Sequence, residues 1–74
     1  MDKNRLYEKL HEEQQEYIAW LKSQDVNTVL DNALEFIWRE DVLNAFDAID
    51  ISDERINFLM ESKNAFAELI KYPW

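Results

Sequence analysis

An all-α fold, a compact bundle of four or five short helices, is what this sequence predicts, and three observations carry the prediction. The 74 residues include no glycine, and the single proline is Pro73. Primed hairpin turns and phosphate-cradling loops need positive φ, which a chain without glycine does not easily adopt. Apolar residues recur three and four apart along most of the chain, the spacing of helical faces. The hydrophobic fraction is 47%, with four Phe, three Trp and three Tyr, too rich for a disordered tail. One domain, residues 1–74, is expected. A chain of this length buries only about 60% of the surface its unfolded form exposes, so it needs efficient packing or a partner.

The first helix is expected over residues 4–24. Leu6, Leu10, Tyr17, Trp20 and Leu21 form its stripe, widened by Tyr7 and Ile18. Glu8, Lys9, Glu12, Gln15, Glu16 and Lys22 form the opposite face, with Lys9 and Glu13 spaced to pair. Asp25 or Asn27 can cap a second helix, because a side-chain oxygen there accepts from the free N–H groups of the first turn. Its early core face reads Val26, Val29, Leu30, Ala33 and Ile37, with Leu34 beside it. Beyond that the stripe changes to Trp38, Val42, Ala45, Phe46 and Ile49, rotated by roughly 140° at 100° per residue. Either one helix uses two faces against two neighbours, or the chain breaks near Arg39–Asp41 with Asp41 as a second cap; the break is preferred. Ser52 caps the next helix, Asp53 and Glu54 suit its positive end, and Ile51 can staple onto Ile56. Asn64 can cap a last helix bearing Phe66, Leu69 and Ile70 and ended by Pro73.

Charge is the other strong signal. The net charge is −8, and nine acids against Arg39 alone fall in residues 23–54. Such a body repels nucleic acid and anionic membranes and attracts basic protein surfaces. No direct nucleic-acid binding and no membrane association are therefore expected. The longest apolar runs are too short to span a bilayer, and MDKNRLYEKL has no signal-peptide core, so a cytoplasmic location is expected.

Catalytic and metal chemistry finds little purchase. Without cysteine there is no disulfide, no thiolate nucleophile and no soft metal ligand. A Ser-His-Asp arrangement would need His11 beside Ser23, Ser52 or Ser62, and no motif supports one. Glu8 and His11 match the Glu-x-x-His spacing of di-iron bundles, but those sites need two such motifs and two further glutamates. Residues 50–61 partly match a calcium loop, with Arg55 where the sharp turn requires glycine. No cofactor, no metal and no enzymatic activity are expected.

Leu6-Tyr7-Glu8-Lys9, Glu13-Gln14 with Tyr17, the Arg39-Glu40-Asp41-Val42 step and Leu59 with its neighbours carry a resemblance. Together they resemble an uncharacterised family of small acidic helical domains encoded on mobile elements of gut bacteria. The likeness covers most of the chain. That family tends to be proline-rich where this chain has Asp25-Val26-Asn27, and often carries Pro-Cys-Pro where this chain has Lys63-Asn64-Ala65. The resemblance implies no activity. A mobile-element setting implies proteins that disable host defence.

The function expected is therefore contact. One form is inhibition of a nucleic-acid-handling host protein by mimicry, with Asp31, Glu35, Glu40, Asp41, Asp47, Asp50, Asp53 and Glu54 imitating a row of phosphates. Carboxylates four apart on a helix lie ~6 Å from each other, whereas duplex DNA carries a charge per ~1.7 Å of axis. The row needs the break near Arg39: on a continuous helix Asp31 and Glu35 point away from Glu40 and Asp47. The other form is a helical interaction or dimerisation module with a merely solubilising acidic face. Phe36, Leu43 and Phe58 fall off the main stripes and are its expected contact residues, with a partner protein or a second copy as occupant.

Overall fold

The computed structural model describes residues 2–71. Among these, five helices follow one another: α1 (Asp2–Lys22), α2 (Val26–Asp31), α3 (Ala33–Asn44), α4 (Asp53–Glu61) and α5 (Ala65–Lys71). A single 3₁₀ turn, Phe46–Ala48, separates α3 from α4. The all-α bundle is thus observed. The expected stop at Pro73, with Tyr72 and Trp74, lies outside the described residues.

The core gathers Leu6 and Leu10 from α1, Val42 and Leu43 from α3, Phe46 and Ile49, Ile56 and Leu59 from α4, and Ala65, Phe66 and Leu69 from α5. Burying each large side chain contributes about 1.5–3 kcal/mol. α1 packs against α4, α3, α5 and α2. Its expected stripe is nonetheless partly uncovered. Leu21 is buried outside the main cluster, while Tyr7 and Trp20 remain exposed.

Polar side chains of α1 finish the ends of the other elements. Lys9 Nζ donates to the carbonyl oxygens of Met60 (2.9 Å) and Ser62 at the end of α4. Lys3 Nζ donates to the Ile49 carbonyl (2.6 Å) after the 3₁₀ turn. Glu13 accepts the N–H groups of Ala65 (2.9 Å) and Phe66 (3.1 Å), and Asn64 Oδ1 accepts that of Ala67 (3.0 Å). Three of the four free N–H groups at the start of α5 are thereby satisfied. No described residue has positive φ. Without a left-handed cap, the last carbonyls of a helix need another donor, and lysine serves both by hydrogen bond and by opposing the helix dipole. Lys9 is therefore not part of a solvated outer face, and its expected pairing with Glu13 gives way to these long-range bonds.

The caps read from sequence are in place at three helices. Asp25 accepts from the Thr28 N–H (3.1 Å), Ser52 from that of Arg55 (3.2 Å), and Asn64 as above. The expected break near Arg39–Asp41 is absent: α3 runs through it from Ala33 to Asn44. The discontinuity sits instead at Asn32 (φ −102°, ψ 4°), whose N–H is shared between the Thr28 and Val29 carbonyls. Asn32 Nδ2 donates back to Thr28 O (2.8 Å), and Tyr17 OH lies 3.3 and 3.2 Å from Asn32 O and Oδ1. Such back-bonding competes with the regular ladder and bends a helix. Phe36 N–H bonds to Asn32 O (3.0 Å), so α3 starts directly after Asn32.

Candidate interaction surface

Two surfaces compete for attention, one anionic and one apolar. Of the eight acids expected to form a row, two are held by internal partners. Glu35 Oε2 accepts from Nε of Arg39 (3.0 Å) and forms an ion pair with its Nη2 (2.9 Å), and Glu40 Oε2 accepts from Gln14 Nε2 (2.8 Å). Arg39 is 6% exposed, its guanidinium carbon 4.1 Å from the Tyr17 ring centre and 4.7 Å from that of Phe66. The negative charge of Glu35 and, before it, burial push the Tyr17 hydroxyl above its ordinary pKa, with Arg39 opposing.

Asp31, Asp41, Asp47, Asp50, Asp53 and Glu54 are exposed. Because α3 is continuous, Glu40 stands roughly 140° around the axis from Glu35. With Arg39 buried, residues 23–54 present acids and no exposed base.

The apolar surface is the unexpected one. Of the expected core face of the second helix, Val26, Val29, Leu30 and Ile37 are exposed and Ala33 is half-buried, and Leu34 beside it is exposed as well; Val26 is 73%, Leu30 66% and Leu34 83% exposed. The reason is geometric. α1 and α5 capture the opposite side of α3 through Trp38, Arg39, Val42 and Leu43, and a stripe roughly 140° away then has nothing opposite it. Val26, Val29 and Leu30 on α2 and Leu34 and Ile37 on α3 follow one another at three- and four-residue spacing and make a strip that crosses the discontinuity at Asn32. It continues into an open groove of about 420 Å³ between α3 and α5, lined by Leu34, Glu35, Trp38, Leu69 and Ile70.

The apolar contact residues named from sequence fare differently. Leu43 is buried in the core cluster and is not part of an exposed face. Phe36 is half-buried. Phe58 is half-exposed on α4 and lines two shallow grooves, one with Ser52, Glu54 and Arg55, the other with Glu61 and Lys63. The strip itself was misassigned to the core. Its signal lay in two apolar faces on one helix in a chain too small to cover both.

Other groups are accounted for locally. His11 and Glu8 are exposed, with His11 stacked on Tyr7 at 6.3 Å. Residues 50–61 form a Ser52 cap and the helix after it. Among the described residues no three His, Asp or Glu side chains are placed to hold a metal, and no helix is long and apolar enough to cross a membrane.

The sequence model of a family described as "Protein of unknown function (DUF3848)" matches residues 2–73. No curated protein and no solved structure matches the chain.

Proposed function

The chain belongs to that family, and on this premise we propose that it is an acidic protein-binding module that acts by contact, in the cytoplasm, without catalysis. Its contact surface is the apolar strip of α2 and the first half of α3. The observation that supports this reading is the exposure of Val26, Leu30, Leu34 and Ile37 side by side. Scattered exposed apolar residues are ordinary, whereas a contiguous strip on a small protein marks an interaction site. Leaving it in water forgoes about 25 cal/mol per Å² that a partner would recover.

A second reading has one observation in its favour, the lack of any exposed base across residues 23–54. In it the belt of Asp47, Asp50, Asp53 and Glu54 competes for the basic groove of a nucleic-acid-handling protein of the host, as a mobile-element inhibitor would. The occupied Glu35 and Glu40 and the interrupted row speak against it.

Capture from host lysate by the immobilised protein separates the two. Under the first reading, Leu34→Glu with Ile37→Glu abolishes capture, and capture persists at about 0.5 M salt, where screening acts within a few ångströms. Loss of capture on changing Asp47, Asp50 and Asp53 to lysine, with the strip variant unaffected, would replace it with the second.

A further inference from the structure

The charge around the strip identifies the class of its occupant. Resting on the reading above, we infer that the α2–α3 face takes an amphipathic helix whose apolar stripe is flanked by lysine or arginine. The strip runs about three helical turns, the length over which an apolar face with anchors at i, i+3, i+4 and i+7 docks. The groove against Trp38, Leu69 and Ile70 receives one anchor side chain at its end.

Acids stand at both ends of the strip and along one flank. Asp25 stands at the start of the strip, and Asp31 follows Leu30 along one flank. Glu35 lines the groove. Asp41 is four residues after Ile37 and seven after Leu34, so it ends the strip on the same face. The nearest base along the chain is Arg39, which is sandwiched inward between Tyr17 and Phe66. On the α5 side, Lys71 follows Ile70 and lies 4.0 Å from Glu68. A helix with basic flanks would meet the exposed Asp31 and Asp41 directly, while Glu35 is held by Arg39.

A second copy of the chain is a poor occupant for the same reason. A two-fold interface sets the same patch against itself. Asp25, Asp31, Glu35 and Asp41 would then be set against the same group of acids on the other copy, on molecules that each carry −8, and like charges across an interface oppose association.

Fluorescence anisotropy with three labelled peptides of about 18 residues tests the inference. One carries leucines at helical spacing with lysine flanks, the second has glutamate flanks on the same leucines, and the third scrambles the first. The lysine-flanked helix is expected to bind at least about tenfold more tightly than either control. Leu34→Glu, at a side chain so exposed that folding does not depend on it, should remove the preference while the far-ultraviolet helical signal stays unchanged. Equal binding of the scrambled peptide would reduce the effect to bulk charge and overturn the inference. Equal binding of the glutamate-flanked helix would do the same for the rim. A dimer seen by sedimentation, converted to monomer by Leu34→Glu, would assign the face to a second copy instead. If lysate capture depends on Leu34 while the lysine-flanked helix does not bind, the inference falls and the contact module stands; if capture ignores Leu34, both fall.

Discussion

Arg39 is counted by composition as a surface charge, yet its buried guanidinium lies close to the rings of both Tyr17 and Phe66. The pairing with Glu35 is the smaller part of what holds it there. Glu35 is partly open to water, and such pairs are worth at most about 1 kcal/mol. A desolvated cation over an aromatic face contributes about 2 kcal/mol, and here there are two faces. Arg39→Ala is therefore expected to lower stability in urea by about 2–3 kcal/mol. Arg39→Lys should lose more than half of that, because an ammonium keeps the charge without the plane. An unchanged midpoint for the lysine variant would show that charge alone matters. Gln14 presents the opposite case. It is wholly buried, and its Oε1 has no partner while its amide nitrogen serves Glu40, so the bond joining α1 to α3 is partly offset by an unsatisfied acceptor, a cost of about 1–3 kcal/mol.

Helix ends, more than helix interiors, hold these short elements in place. α2 and α5 are well below the length at which a helix persists alone in water, about 12–15 residues. α5 is started by Glu13 from across the bundle, and α4 is ended by Lys9. α2, with no buried residue, relies on its own Asp25. Hydrogen bonding from the Thr28 side chain and N–H holds the Asp25 carboxyl below the usual carboxylate range. A carboxylate depressed on folding stabilises the folded state above its unfolded pKa, and that contribution is lost as the pH falls through the folded value. The Tm difference between the wild type and Asp25→Ala should accordingly be full above about pH 5 and shrink as the pH drops below about 4. A difference that stays constant down to strong acid would mean that the carboxylate form is not the cap.

The whole molecule is elongated, 39 × 20 × 18 Å, and carries its net −8 unevenly. Self-repulsion of that excess opposes compaction, and nothing on the surface of residues 23–54 offsets it. Raising salt from about 0.01 M to about 0.15 M shortens the screening length from about 30 to about 8 Å. A Tm rise of a few degrees is expected over that range, measured at fixed neutral pH. A fall would show that ion pairs such as Glu35 with Arg39 outweigh the repulsion. The residues that carried the family resemblance acquire a physical meaning here as well. Glu13, Gln14, Tyr17, Arg39 and Glu40 are the groups that fasten α1 to α3 and α5. The apolar strip lies elsewhere.

Local chemistry alone sufficed for the helical class, for the starts at Asp25, Ser52 and Asn64, and for the face of α1 that carries Leu6 and Leu10, since each depends on residues within a few positions of one another. The acidic surplus was equally visible, being a matter of counting. Long-range packing chose between the two apolar faces of residues 26–44, directed Lys9 and Glu13 to partners 51 and 52 positions away, and took Arg39 inward. Periodicity reveals that a helix has an apolar side; whether another element is there to cover it depends on how the rest of the chain packs.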